Sequence, residues 1–344
     1  MESGPGPILG GSGQRAPGYH DLVVEKVLLA APRGYCAGVE RAVDTVEQAL
    51  SGHGAPVYVR KQIVHNRHVV RDLEAKGAVF VEDENEVPEG ALVVLSAHGV
   101  APDVYKNAAG RGLALVDATC PLVTKVHLEA RRFAREGRTI ILIGHRGHEE
   151  VVGTSGQAPD RVILVGSVEE ARRVEVPDPD NVAYLTQTTL SVDETGEIVE
   201  ALRERFPWIE GPPKDDICYA TQNRQDAVKE LARRSDVVLV IGSDNSSNSN
   251  RLAEVAREQG TPAFLVDDET EIELGWIEAA RVVGVTSGAS APEWLVDRMV
   301  RFLGEHGAGE VHEVRVIDEN VRFSMPATLR RLSPTETRPA ADAG

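Results

Sequence analysis

Cysteine is scarce in this chain: three in 344 residues, at Cys36, Cys120 and Cys218, with no C-x-x-C pair among them. That is too few, and too widely spaced, for the disulfide framework of a small secreted scaffold. Long hydrophobic runs are missing as well. No apolar stretch approaches the roughly 18–20 residues needed to cross a bilayer. The opening residues MESGPGPILGG contain no basic region leading into an apolar one. A soluble, cytoplasmic protein is therefore expected. Positive charge is in deficit: 37 Lys and Arg against 54 Asp and Glu leave a formal net charge of −17. This argues against a general nucleic-acid or anionic-membrane surface, since both need clustered Lys and Arg. There is no G-x-x-x-x-G-K-[ST] loop, and the G-S-G near Gly11 has no strand before it, so neither suggests a nucleotide site.

What is present is an ordinary folded composition, 42% hydrophobic and 26% charged, long enough for two or three packed domains. Residues 1–23 are rich in Gly, Pro and Ser without a hydrophobic period and are expected to form a flexible extension, with a similar flexible tail over 327–344. Between them short apolar runs alternate with amphipathic helical patterns, the mark of parallel α/β architecture. Strands are expected at 27–31, 57–59, 92–95, 113–116, 140–143, 162–165, 237–241, 264–266 and 282–285.

A helical pattern follows each cysteine. After Cys36, Val39, Ala42, Val43, Val46 and Leu50 recur on one helical face; Val123, Val126, Ala130 and Phe133 do so after Cys120, and Ala227, Val228 and Leu231 after Cys218. Polar positions after strands then recur at similar offsets: His65 and His98 at +29 and +62 from Cys36; His145, His148 and Thr188 at +25, +28 and +68 from Cys120; Ser243, Ser246 and Ser290 at +25, +28 and +72 from Cys218. The order repeats three times although the letters do not.

Three α/β domains follow from this repeat, over 38–118, 119–214 and 215–310, the last completed by the strand within 24–36, with 311–326 packing on the domains. Ligands in open α/β sheets bind beyond the carboxyl ends of the strands. Packing the three units as a ring with strand ends inward would bring the cysteines and the polar positions together.

A lone cysteine is ordinarily a small buried hydrophobe, but three at equivalent points of a repeat suggest a shared ligand. Structural zinc usually takes four protein ligands, commonly in C-x2-4-C pairs, and a catalytic thiol needs only one residue. A 4Fe-4S cluster on three thiolates leaves one iron free for substrate oxygen. His145 and His148 form an H-x-x-H pair with no evident third ligand.

The segments APRGYCAGVERAV, VHNRHVV, SAHGV, DATCPLVTKVH, IGHRGHEEVVGTSG, TQTTLSV, KDDICYATQNRQ, GSDNSSNSNRL and TSGASAPEWL resemble, in order, the signature set of the 4-hydroxy-3-methylbut-2-enyl diphosphate reductase family, from about Val27 to Pro326. The resemblance implies a trefoil of three pseudo-symmetric α/β domains, with mainly parallel sheets, around a central 4Fe-4S cluster. It implies reductive dehydroxylation of an allylic diphosphate to isopentenyl and dimethylallyl diphosphates with two electrons and two protons, the last step of the methylerythritol phosphate route. Cys36, Cys120 and Cys218 would hold the cluster. Glu150 would be the proton donor, with Glu149 its rival, and Thr188 and His148 would join it in catalysis. His65, His98, His148, Thr188, Gln187, Ser246, Ser247, Asn248 and Ser290 would bind the substrate, and a ferredoxin or flavodoxin would bring electrons. Neutral donors suit an anion site in an acidic protein, particularly where SSNSNRL opens a helix. An iron–sulfur hydro-lyase needing no electrons, or a non-catalytic zinc or cluster-binding protein, remains open at this point.

Overall fold

Runs such as LVVL, IILI and VVLVI, with no polar interruption, can serve as strands only where both faces of a sheet are covered. In the computed structural model, which describes residues 24–331, the central strands are used in this way. The first sheet follows a helix-opening cysteine: β1 (Lys26–Ala31) leads through Cys36 into α1 (Ala37–His53), and then come β2 (Val57–Arg60), α2 (Arg67–Ala75), β3 (Ala78–Val81), β4 (Leu92–Leu95), α3 (Pro102–Gly110) and β5 (Ala114–Asp117). Strands β3-β2-β4-β5 pair in that order, all parallel.

The second unit runs α4 (Pro121–Arg135), β6 (Thr139–Ile143), α5 (Glu149–Ser155), β7 (Val162–Val165), α6 (Val168–Arg173), β8 (Val182–Thr186) and α7 (Val192–Arg205), with parallel order β7-β6-β8. The third has α8 (Tyr219–Ala232), β9 (Val237–Ile241), α9 (Ser247–Glu258), β10 (Ala263–Val266), β11 (Val282–Ser287), α10 (Glu293–Glu305) and β12 (Glu310–Arg315). Its parallel sheet has the order β10-β9-β11-β1-β12, so the first strand of the chain lies inside the last sheet.

The central strands β2, β6 and β9 correspond, as do β4, β8 and β11 beside them. Period-two alternation divides each strand between two cores. On β9, Val237, Leu239 and Ile241 enter one cluster with α10 residues Leu295 and Met299, while Val238 and Val240 enter another with Leu231 of α8 and Leu252 of α9. On β6, Ile141 and Ile143 pack towards Leu202 of α7, and Ile140 and Leu142 towards Phe133 of α4.

The strands β3 and β12 fall outside the sequence expectation, and β8 is expected only as an unbounded strand running into Thr188. The polar run EVHEVR of β12 reads as surface, and five of its six residues are exposed, because it is the sheet edge with only Val314 buried. The expected flexible extension over 1–23, and residues 332–344 of the expected tail, lie outside the described residues. The first residues of that tail have regular structure: Ala327–Arg331 form a short 3-10 helix whose Leu329 enters the first domain's core beside Met325. A buried leucine anchors them where composition alone suggested a polar tail.

Candidate active site

Each cysteine is the residue immediately before a helix. Cys36 caps α1, Cys120 caps α4 ahead of Pro121, and Cys218 caps α8. Exposed helix N–H groups there favour negative charge. The Cys218 sulfur accepts the Thr221 N–H at 3.4 Å and lies 3.2 Å from the Thr221 hydroxyl. All three thiols are unpaired and line one central cavity.

Burial pushes the Cys120 thiol up to about 12 and Cys218 up to about 11, with Cys36 adding to both shifts. Bare thiols of that kind stay protonated at neutral pH, so a bound cation is the natural source of compensation. Gly38 leaves the necessary room. A Cβ there would lie 2.7 Å from Cys120 Sγ and 3.8 Å from Cys36 Sγ.

The spacing separates two kinds of centre. Tetrahedral zinc at about 2.3 Å from each sulfur would bring thiolates to about 3.8 Å of one another. Among the described residues, the single group of three His, Cys, Asp or Glu ligands with all donor atoms within 4.8 Å is His65, His98 and Glu149. The cysteines do not meet that limit, and His145 is not in that group. Three thiols spread around a shared cavity fit a polynuclear cluster better than one ion.

Corresponding strand ends surround this cavity. After β2 and β4 come His65 and His98, after β6 and β8 come His148 and Thr188, and after β9 and β11 come Ser246 and Ser290. Its volume is about 110 Å³, several times the roughly 10–15 Å³ that admits one water. Ser247 and Asn248, at the start of α9, complete this side. Among the described residues, no Lys or Arg lines the cavity.

The imidazoles interlock. His65 stacks on His98 with ring centres 4.1 Å apart, and His148 meets them edge-on at 5.5 and 5.8 Å. Burial, then the neighbouring His98, hold His65 far below the ordinary histidine range and lower His148 to about 4. Both are therefore neutral at physiological pH. His148 Nδ1 accepts the Glu150 N–H at 3.2 Å, which leaves the ring proton on Nε2. The Asn248 Nδ2 and His98 Nδ1 atoms are buried without a hydrogen-bond partner among the described residues. An uncommitted amide donor such as that of Asn248 suits a phosphate-bearing ligand.

Glu150 lies on the first turn of α5 and is 2% exposed. Its Oε1 accepts the Thr188 backbone N–H at 2.7 Å, and its Oε2 the Thr188 hydroxyl at 2.9 Å. Burial lifts this carboxyl to about 7 despite the opposing pull of those bonds. Neighbouring Glu149 instead faces His98, with 3.3 Å between Oε2 and Nδ1.

Gln187 does not line the cavity. It is buried behind the wall, where its Oε1 accepts the His145 N–H and its Nε2 donates to the Thr189 and Ser247 hydroxyls. Its amide thus bonds one backbone group and two hydroxyls of the wall. Sequence reading missed Gly38, Thr189 and Thr221, all on the wall. The small residue in C-A-G and the second threonine after Gln187 were available signals.

Fold and site together define a class: α/β proteins of three parallel-sheet units, with one thiol at the start of each of α1, α4 and α8, three imidazoles and one buried acid about a common cavity. The family model described as LytB protein matches residues 27–304, and the chain belongs to that family. It is 62% identical over 311 residues to the 4-hydroxy-3-methylbut-2-enyl diphosphate reductase of Acidothermus cellulolyticus, covering 90% of this chain and 92% of the relative. Identity to the protein of that name from Leifsonia xyli subsp. xyli is 60%, over 89% and 91% of the two chains. A solved structure described as the E-1-hydroxy-2-methyl-but-2-enyl-4-diphosphate reductase from Plasmodium falciparum superposes with a TM-score of 0.87 at 36% identity, covering 90% of this chain and 98% of that one. Another, described as (E)-4-hydroxy-3-methyl-but-2-enyl diphosphate reductase, the terminal enzyme of the non-mevalonate pathway, gives 0.58 at 31% identity, over 82% and 100%.

Proposed function

We propose that this chain reductively dehydroxylates (E)-4-hydroxy-3-methylbut-2-enyl diphosphate to isopentenyl and dimethylallyl diphosphates, as the last step of the methylerythritol phosphate pathway. The observation that carries this reading is the Glu150–Thr188 pair on the wall of a cavity that also contains three convergent thiols. The names carried by relatives of about 60% identity support it.

Cys36, Cys120 and Cys218 would hold a 4Fe-4S cluster, leaving one iron without a protein ligand. When bound, that cluster supplies electrons and a Lewis-acidic iron for the substrate C–O bond. The chain's own groups do the rest. His65, His98, His148, Ser246, Ser247, Asn248 and Ser290 would surround the diphosphate with neutral donors, and the α9 N-terminus adds backbone N–H groups. Neutral donors avoid a broad basic surface in a chain of charge −17.

Thr188 would receive the substrate hydroxyl. Glu150, hydrogen-bonded to Thr188 and close to half-protonated near pH 7, would pass its proton through that hydroxyl to the leaving oxygen, which departs as water. The second proton goes to the allylic carbon skeleton, and both electrons remain with it. A ferredoxin or flavodoxin would supply them one at a time. Three unpaired thiols suit a reducing compartment, and we place the reaction in the cytoplasm.

Anaerobic purification with iron and sulfide counts, followed by turnover with a chemical reductant, tests this reading. About four iron and four sulfide per chain, with two electrons consumed per product, are the expected results. Stoichiometric zinc without sulfide, or water loss without electron consumption, would sink it.

A further inference from the structure

A second depression, of about 800 Å³, lies on the surface beside the cysteine centre and takes no part in the chemistry described above. Tyr35 and Ala37, on either side of Cys36, and Tyr219, the residue after Cys218, line it. Consecutive Cα atoms are 3.8 Å apart, so this surface is one residue from two of the three thiols. The C-terminal segment, including Arg315, Ile317 and Arg322, lines it as well.

That segment is unusually apolar for an exposed one. Val311, Val316, Ile317 and Val321 are 40–49% exposed, four large hydrophobics within eleven residues. Exposed apolar groups concentrated in this way mark interaction surfaces. The charge is also atypical of this acidic protein. Arg322 has no ion pair among the described residues, and Arg315 is largely exposed even though Glu313 and Asp318 contact it. Glu319 is committed to the buried Arg224 at 3.1 Å. Three arginines, Arg33, Arg315 and Arg322, and three carboxylates, Glu40, Asp318 and Glu319, line the depression, so charge balances here, whereas the chain as a whole repels an acidic partner.

We propose that this depression and the segment 311–322 form the docking surface for a small, acidic, one-electron carrier protein. The assignment rests on the reductase reading above and adds the place where electrons enter. Each docked carrier is oxidised by one electron, and two in succession supply the pair left on the product when the C–O bond breaks. Apolar side chains flanked by arginine suit a small, transient redox interface. The face lies beside the cysteines yet is lined by residues separate from those of the substrate cavity, so carrier and substrate can be present together.

The test uses the full-length holoprotein and its I317E/R322E double variant, with a reduced ferredoxin and, separately, a reduced viologen as donors. The expected result is a drop of tenfold or more in kcat/KM for ferredoxin and a viologen rate within twofold of wild type. A titration with oxidised ferredoxin should show Kd raised by a similar factor. A control variant, R233E/R234E, on another face, should change neither. An unchanged ferredoxin rate and Kd would overturn the proposal. So would a self-association of wild type that the double variant abolishes while ferredoxin turnover persists. If wild type turns over with neither donor, the reductase reading fails. The titration then judges the surface by itself, with lost binding upholding it and retained binding overturning it.

Discussion

At neutral pH the Glu150 carboxyl sits close to the midpoint of its titration, because burial raises it to about 7 while Thr188 stabilises the ionised form. A proton donor must be protonated when substrate arrives. With a chemical reductant, kcat/KM should be flat below about pH 7 and fall about tenfold per unit above it, as the acid form is lost. Glu150→Gln keeps the shape, removes the proton, and should cost about 10²–10⁴ in kcat with iron and sulfide content unchanged. Near-normal turnover in that variant would move the donor role elsewhere. The same shift has a stability consequence. A carboxyl raised from 4.5 in the unfolded chain to about 7 in the folded one favours the native state below the lower value, an advantage lost as pH rises through the upper one. Denaturant titrations should show Glu150→Gln gaining on wild type by up to about 3 kcal/mol between pH 4.5 and 8. The cysteines were legible in the sequence because each preceded an apolar helical face. The position of Gln187 behind the wall was not legible, because a motif reports neighbourhood along the chain and cannot say whether an amide faces the cavity or lies behind it.

At the scale of elements, the three helices α1, α4 and α8 decide what the cysteines can hold, since each presents a sulfur from its first turn. Gly38 lies between two of those sulfurs. Gly38→Ala places a methyl group 2.7 Å from Cys120 Sγ, an overpacking that costs about 1–3 kcal/mol. The variant should fold, with far-ultraviolet circular dichroism like wild type, and retain less than half the iron after anaerobic reconstitution. Full iron content would show that the thiols can retreat. Central strands were readable because continuous apolar runs have few other uses. The strand β3 was not, since AVFV buries only Ala78 and Val81 and lacks the fully covered run of the central strands. The edge strand β12 buries only Val314, so hydrophobic patterning carries almost no signal there.

Across the whole molecule, Arg224 joins parts that are far apart in sequence. Fully buried, it donates to the carbonyls of Gly34, Tyr35 and Ala220 and pairs with Glu319, linking the Cys36 loop, the start of α8 and the C-terminal segment. Arg224→Met should destabilise the protein by about 3 kcal/mol, since Glu319 and three carbonyls lose their partner. It should also accelerate iron loss on exposure to a chelator; a wild-type rate of loss would confine Arg224 to general stability. Domain contacts elsewhere combine ion pairs with neutral hydrogen bonds: Arg67 reaches Asp267 at 3.0 Å and Glu271 at 2.8 Å, Lys229 reaches Asp193 at 2.6 Å, and the Ser290 hydroxyl donates to the His65 carbonyl at 2.8 Å. None of these partnerships is periodic in sequence, so none could have been read from it.

The threefold correspondence of strand ends also bears on ancestry. A trimer of identical chains could offer three equivalent thiols, but it would be bound to repeat every other side chain three times. Two residues beyond His65, His148 and Ser246 this chain has Arg67, Glu150 and Asn248, a cation, an acid and an amide at matching places. Joining three copies in one gene lets the cysteines remain alike while those positions diverge, so that a symmetrical scaffold acquires a single acidic side and can tell one end of an unsymmetrical molecule from the other.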